Sequence, residues 1–130
     1  MAIPLVGQSR PPNFFQWAFP VSGSLTVTTN ISTYFQAPAR VRIDEVRCHV
    51  GTAPVGATIL VDVNDDGTTV FTTQGHRPTI ADGANDATSG AADGGTSVAK
   101  NSVITIDVDQ VGSGTAGSDL TVFVRGRYVW

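Results

Sequence analysis

The residues best suited to chemistry are acidic, and the first group lies in the run 62–67, DVNDDG. Asp62, Asn64 and Asp66 match the opening of a calcium loop, in which oxygen ligands at alternating positions surround the cation. The position that supplies a bidentate glutamate in such loops holds Thr73 here, and the flanking residues alternate like strands. We therefore predict a hairpin turn without a structural metal, with the Asp62 side chain directed to solvent.

A second acidic pair, Asp107 and Asp109, falls on one face of a predicted strand. Two carboxylates that converge could serve a hydrolase, but strand aspartates more often form a solvated face that discourages edge pairing. The two histidines, His49 and His76, have no Cys or His partner at metal-ligand spacing. No nucleophile elbow is present either. The sequence therefore predicts a protein without enzymatic activity and without a cofactor.

The charge of the chain argues against a nucleic-acid partner, since its net charge is −3 and it contains no basic run. Arg40, Arg42, Arg125 and Arg127 alternate along two predicted strands and would form a basic stripe if those strands pair. An acidic protein surface fits such a stripe as well as nucleic acid does, and scattered solvent-facing arginines fit better than either. No apolar run approaches the roughly 20 residues of a membrane span. We expect no membrane partner, and synthesis without a secretion signal.

The elements that must position these residues are β-strands. The chain contains 14 Gly and 7 Pro, and β-branched residues outnumber strong helix formers. Because apolar residues alternate with polar ones, two sheets must cover each other's apolar face. We predict one all-β domain, an antiparallel β-sandwich that is jelly-roll-like. The side chains expected to point inward are Ile59, Val61, Ile104, Ile106, Val108, Leu120, Val122 and Val124.

Irregular features are expected within this sandwich. The parity of apolar residues changes within the run 39–50, which predicts a β-bulge at Asp44 and Glu45. Cys48 falls on the apolar parity and is predicted to be a buried, unreactive thiol. Residues 82–97 contain no large apolar side chain, which predicts a long surface loop that is mobile or ordered by a partner.

The first twenty residues differ in character, because four prolines punctuate a segment rich in aromatic rings. We predict an extended N-terminal arm at residues 1–20 and the β-sandwich domain at residues 21–130. Two interpretations stay open: the arm docks on its own domain, or it is exchanged with a neighbouring subunit. The residues expected to contact a partner are Ile3, Leu5, Phe14, Phe15, Trp17 and Phe19.

Several phrases of the sequence, taken in order, resemble a β-rich module of tailed-bacteriophage structural proteins. They are PVGATILVDVN at 54–64, GTTVFTTQ at 67–74, RPTI at 77–80, DVDQVG at 107–112 and GSDLTV at 117–122. The resemblance implies a virion component with a compact β-sandwich, and it implies no catalytic residue.

Among such proteins, the chain is most similar in size to a capsid decoration protein, since it has no fibre shaft. The resemblance thus implies a cementing protein of the phage head, located in the virion and assembled in the host cytoplasm. Its partners would be the major capsid protein or another virion protein, and three-fold sites of the shell favour a homotrimer. The alternative is a tail-tip or fibre module that binds a receptor or glycan, with Tyr34, Phe35 and Trp17 as candidates to stack on sugar rings.

Overall fold

The computed structural model describes residues 13–93 and 97–129 of the 130-residue chain. In these ranges the only helix is the 3₁₀ turn Gln74–His76, and no helix is long and apolar enough to cross a membrane. The strands are β1 (Phe14–Ser24), β2 (Phe35–Gln36), β3 (Val41–Thr52), β4 (Ile59–Asp65), β5 (Thr68–Thr69), β6 (Thr79–Ile80), β7 (Asp86–Thr88), β8 (Ser97–Val98), β9 (Val103–Gln110) and β10 (Ser118–Tyr128).

The strands form two antiparallel sheets. Sheet A has the order β1-β10-β3-β7, and β8 also pairs with β3. Sheet B has the order β2-β9-β4-β5, and β6 also pairs with β4. The predicted all-β sandwich is therefore confirmed. Along the first four strands the chain alternates between the sheets, and β1 lies beside β10. The jelly-roll assignment stays a prediction that this strand order supports.

The core lies between the two sheets and is built from alternate residues of the long strands. The eight side chains predicted to point inward are all at most 1% exposed, so that prediction is confirmed. Strand β4 contributes Ile59, Val61 and Val63, whereas Phe71 and Ile80 come from the segment after β5. The alternation in the sequence identifies these faces because one face of each sheet is covered by the other sheet.

The predicted bulge in β3 is present. Pairing with β10 steps from Arg125 opposite Glu45 to Gly126 opposite Ile43, which leaves Asp44 as the extra residue. The bulge keeps the apolar residues on both sides of it in the core and places both acidic side chains on the outer face. Gly126 is required here, because a Cβ would overlap the carbonyl oxygen of Arg42.

The hairpin predicted at 62–67 is also confirmed. Strands β4 and β5 pair from Asn64 opposite Thr69 to Asp65 opposite Thr68, so only Asp66 and Gly67 form the turn. Their φ angles of 48° and 85° are the positive values that a type I′ turn needs. Asp and Gly adopt this conformation more readily than most residues.

The N-terminal segment corrects the expected architecture. Residues 14–20 belong to β1, which pairs with β10 from Phe14 opposite Arg127 to Val21 opposite Leu120. The predicted domain boundary at residue 20 therefore falls inside a strand of sheet A. Residues 1–12, which hold the rest of the predicted arm, lie outside the described residues.

Three aromatic rings of β1 lie in the domain's own core, at 8%, 8% and 3% exposure for Phe15, Trp17 and Phe19. The centroid of the Trp17 ring lies 4.3 Å from that of Phe15 and 4.8 Å from that of Phe35 in sheet B. Phe19 meets Phe35 edge-on at 5.4 Å. The rings occupy alternate positions of β1, so all three point between the sheets. For these three rings the structure agrees with the first of the two interpretations left open, packing on the chain's own domain.

The segment 82–97 is likewise more structured than expected. Residues Asp86–Thr88 form β7 on the edge of β3, and Ala92 is only 2% exposed. The Val46 N–H of β3 donates to Ser89 Oγ at 2.9 Å. The Val50 N–H of the same strand donates to the carbonyl of Asn85, just before β7, at 2.8 Å. Small side chains allow this segment to lie close against β3. The prediction of one long surface loop is therefore corrected for the described part of the segment.

Candidate partner-binding surface

The outer face of sheet A carries a continuous set of exposed and half-buried side chains on its three long strands. Each strand there points alternate residues away from the core, and the registers align these residues in rows across the sheet. One row joins Ala18, Phe123 and Arg47. The face as a whole consists of Phe14, Gln16, Ala18, Pro20, Arg42, Asp44, Glu45, Arg47, His49, Thr121, Phe123, Arg125 and Arg127.

Hydrogen bonds and ion pairs hold the side chains of this face in place at the end near the bulge. Arg125 Nε donates to Gln16 Oε1 at 2.6 Å and its Nη1 donates to Glu45 Oε2 at 3.0 Å, so one guanidinium links three strands. Arg127 donates through two nitrogens to Asp44 at 3.0 and 3.1 Å, and these hydrogen bonds raise the pKa of Arg127. Such exposed pairs add little stability, but they orient the side chains.

The two arginine-bearing strands do pair, which was the condition for a basic stripe, with Arg42 opposite Arg127. The face is nevertheless not a purely basic stripe, because the acidic side chains of the bulge neutralise Arg125 and Arg127. Arg47 donates to Thr88 Oγ1 at 2.9 Å and has no ion pair among the residues that the structure describes. The face therefore carries four arginines and two carboxylates, and both carboxylates are paired with arginines of β10.

A groove of about 460 Å³ lies at the bulge end of the face. The exposed ring of Phe14, which is 60% accessible, forms one wall together with part of Phe15. The Asp44, Glu45 and Arg125 side chains form the other wall. A second groove of about 310 Å³ lies further along the sheet, around Phe123 and Arg47. Both combine aromatic surface with charged groups, which is the composition of protein contact sites.

On the outer face of sheet B the carboxylates are hydrogen-bonded within the domain, and Asp62 is the first example. This residue was expected to face solvent, and the structure corrects that expectation, since it is only 7% exposed. The side chain does lie on the outer face, but Thr69 covers it and donates its hydroxyl to Asp62 Oδ1 at 2.6 Å. The Val63 N–H donates to the same oxygen at 2.8 Å. Burial raises the pKa of Asp62, and these hydrogen bonds oppose the shift.

The carboxylate pair of β9 is also engaged within the fold. Asp107 accepts from the Asn30 N–H and from Asn64 Nδ2, each at 2.8 Å. Asp109 accepts from Arg77 Nη1 at 2.8 Å. Each carboxylate thus has its own structural partners. Within residues 13–93 and 97–129, no three His, Cys, Asp or Glu side chains are grouped to hold a metal.

A chain of the cyanophage Pam1 capsid asymmetric unit has a similar structure. The two share 17% sequence identity and superpose with a TM-score of 0.57, over 99% of this chain and 93% of that chain. At this identity the similarity shows the fold. Neither a protein-family model nor a curated protein sequence matches the chain.

The candidate partner-binding and sugar-stacking residues predicted from the sequence lie in different parts of the fold. Of the arm residues, Phe14 reaches the outer face of sheet A, while Ile3 and Leu5 lie outside the described residues. Of the candidates to stack on sugar rings, Tyr34 is 75% exposed, whereas Phe35 and Trp17 pack in the core.

Cys48 is buried as predicted, and burial raises its pKa to about 12, so the thiol stays protonated and unreactive.

Sequence reasoning missed Phe123, Arg47 and Gln16 as surface residues of one site. The signal was present in part, because Phe123 and Arg125 fall on the parity opposite to the core residues of β10. What was missing was the order of the strands. Only the pairing of β10 with both β1 and β3 shows that these side chains form a single face.

Proposed function

We propose that this chain is a non-enzymatic structural protein of a bacteriophage particle, and within that class a capsid decoration protein that cements the head. The observation that carries the proposal is the similarity to a chain of the Pam1 capsid asymmetric unit over 99% of this chain and 93% of that chain. The similar unit is thus nearly the whole of both chains. The comparison therefore concerns the whole sandwich and not a short shared motif.

The outer face of sheet A supports binding to another protein. Aromatic residues and arginine are enriched in protein interfaces, whereas Asp, Ser and Lys are depleted. Phe14, Phe123 and Arg47 fit this composition, and sheet B presents mainly carboxylates that its own fold has engaged. We therefore assign the contact with the shell, through the major capsid protein or another virion protein, to sheet A. We further propose that the protein is located in the virion after assembly in the host cytoplasm.

The oligomeric part of the proposal is a homotrimer at three-fold positions of the shell. The proposed contacts between copies come from residues 1–12 and from Phe14, which is the aromatic residue of β1 left exposed. Phe15, Trp17 and Phe19 no longer belong to this proposed contact, because their rings already pack inside the domain.

Quantitative mass spectrometry of purified particles tests the proposed function. We expect the chain to co-purify with filled heads in numbers comparable with the major capsid protein. Isolated tails serve as the control fraction and should lack it. Enrichment in tails at only a few copies would overturn the decoration proposal and support the receptor- or glycan-binding alternative, for which the exposed Tyr34 is the remaining stacking candidate. Absence from particles would overturn both.

The role of sheet A is tested by reversing one charge on its outer face and one charge in a turn outside that face. Arg47→Glu changes the outer face of sheet A, and Lys100→Glu makes the same change in the turn that precedes β9. With particles stripped of the protein, Arg47→Glu should bind at least about tenfold more weakly than the native chain. Lys100→Glu should bind as the native chain does. Equal binding by both variants would show that sheet A does not face the shell.

A further inference from the structure

We infer that the outer edge of β1 binds residues 1–10 of a second copy of this chain by strand addition. The inference deepens the proposed contact between copies, because it names the strand edge that receives residues 1–10, and it does not depend on the proposed role in the capsid. It rests on the hydrogen-bonding direction of β1, on the groove beside it, and on the sequence that precedes it.

Strand β1 has a partner on one side only. It pairs with β10, and no other strand among residues 13–93 and 97–129 lies against it. The Tyr128 N–H donates to the carbonyl of Asn13 at 2.6 Å, and the register with β10 is regular from Phe14 to Val21. Since the backbone groups of successive residues point to opposite sides of an antiparallel strand, odd-numbered residues face β10. The N–H groups of Phe14, Gln16 and Ala18 therefore face outward.

Pro20 confirms this direction and limits the length of the edge. It stands at the next even position, where a missing N–H removes no bond to β10. The same missing N–H prevents a ladder from continuing past this point. Beyond Val21 the register with β10 also becomes irregular. The usable edge is Phe14–Phe19, roughly 20 Å at about 3.3 Å per residue.

A place for side chains lies next to this edge. The groove of about 460 Å³ is bounded by Phe14, which remains 60% exposed within the domain. In strand addition, backbone bonds supply affinity while grooves that receive alternate side chains supply specificity. The groove extends from β1 inward over β10 to Asp44 and Glu45 of β3, so a strand laid outside β1 would place its alternate side chains against Phe14 at the outer wall of the groove.

The segment that precedes β1 has suitable length and composition. Residues 1–10, MAIPLVGQSR, would span at most about 33 Å when extended, which exceeds the usable edge. Ile3 and Leu5 are spaced two apart, so an extended chain presents both on one face. Pro4 between them is acceptable in an added strand because such a strand lies at the edge of the sheet.

The linker Pro11-Pro12 favours a second copy over the same copy. The tight hairpin turns that return a chain along its neighbour need a positive φ at the first turn position, which proline cannot adopt. A residue before proline also prefers an extended conformation, so Arg10 and Pro11 both favour a straight path. A short stiff linker before an edge strand therefore carries the segment away from its own β1, and exchange between copies results.

Sedimentation of full-length variants at micromolar concentrations tests the inference. Ala18→Pro removes an outward N–H from the edge without removing a bond to β10, and Ala18→Val is the control that keeps the N–H. We expect the native chain and Ala18→Val to be oligomeric and Ala18→Pro to be a folded monomer by circular dichroism. A monomeric native chain, or an oligomeric Ala18→Pro variant, would overturn the inference.

A peptide experiment keeps the test decisive if Ala18→Pro fails to fold. A full-length variant with Ile3→Asp and Leu5→Asp should be monomeric, because its own segment no longer binds. A labelled peptide of residues 1–10 should bind this variant saturably, and the same peptide with both aspartates should bind at least about tenfold more weakly. Equal binding of the two peptides, or no binding, would show that the edge is not the receptor.

Discussion

The outer faces of the two sheets differ in what their polar groups bind. On sheet B, Asp62, Asp107 and Asp109 each accept hydrogen bonds from neighbouring parts of the same domain. On sheet A, the ion pairs of Arg125 and Arg127 are exposed. Beside these pairs, aromatic rings remain accessible. The polar groups on the outer face of sheet B therefore stabilise the fold, whereas the outer face of sheet A is accessible to a partner.

The difference follows from where the connections run. On sheet B, Thr69 of β5 donates to Asp62, and Arg77 from the segment after β5 donates to Asp109. Gln74 of the same segment donates to the Thr69 hydroxyl. Over the central strands of sheet A no comparable segment lies among the described residues. A partner can bind this face of sheet A without displacing contacts made by the protein's own loops.

The largest effect is expected within β1, where neighbouring positions serve opposite faces. Trp17→Ala should lower the free energy of unfolding by about 3–5 kcal/mol, because it empties a site filled by a large ring. Phe14→Ala on the outer face should change it by no more than about 0.5 kcal/mol. Urea unfolding followed by circular dichroism measures both. Equal losses would show that the outer face of sheet A also serves the fold.

A second effect concerns the bulge in β3 that places Asp44 and Glu45 on the outer face. Gly126→Ala should cost about 1–3 kcal/mol of unfolding free energy, since the new Cβ overlaps a backbone carbonyl. Gly75→Ala is the matched control, because a Cβ there meets no atom within 4 Å. Thermal unfolding of the two variants gives the comparison. A tolerated Gly126→Ala would mean that the bulge can relax and that the face is not fixed.

A smaller contrast is expected between carboxylates on the two faces. At neutral pH, Asp62→Ala should lower the free energy of unfolding by about 1–3 kcal/mol, because the Thr69 hydroxyl loses its acceptor in a buried site. Glu45→Ala should cost less than about 1 kcal/mol, as is usual for an exposed ion pair. Denaturant titration of both variants provides the measurement. The reverse order would contradict the distinction between the two faces.

The smallest expected effect is a pH dependence specific to Asp62. Burial raises its pKa above the ordinary value of 3.8, so the folded state holds the proton more tightly than the unfolded state does. Its contribution to stability is therefore greatest at low pH and declines as pH rises from about 3.8 through the folded pKa. The difference in unfolding free energy between the native chain and Asp62→Asn should fall across this window and then level off. A difference that rises with pH would contradict the assignment.

Much of the sandwich could be predicted because alternation is a local signal. The inward residues of β4, β9 and β10 and the bulge at Asp44 all depend on the parity of neighbouring side chains, which the sequence displays directly. The turn at Asp66-Gly67 is equally local, since it depends on which residues adopt a positive φ.

The remaining features depend on contacts between distant parts of the chain. Prolines in the first twenty residues suggested an arm, although the alternation of its rings already favoured a strand. Pro20 is compatible with that strand only because β1 lies at an edge, and strand order is not visible in the sequence. Asp62 is covered by Thr69, which lies across the hairpin. Strand β7 consists of small residues and forms by pairing with β3. Neither arrangement has a local signature.

The hydrogen bond between Asn13 and Tyr128 brings the start of β1 next to the end of β10. A short covalent linker between these points would leave the topology of both sheets unchanged. New termini could then open at the exposed turn Asp66-Gly67, a kind of site at which chains tolerate cutting. In such a circular permutant β1 would be joined to the chain at both ends. The domain would keep its core, while the segment that now precedes β1 could be removed or displayed elsewhere by design.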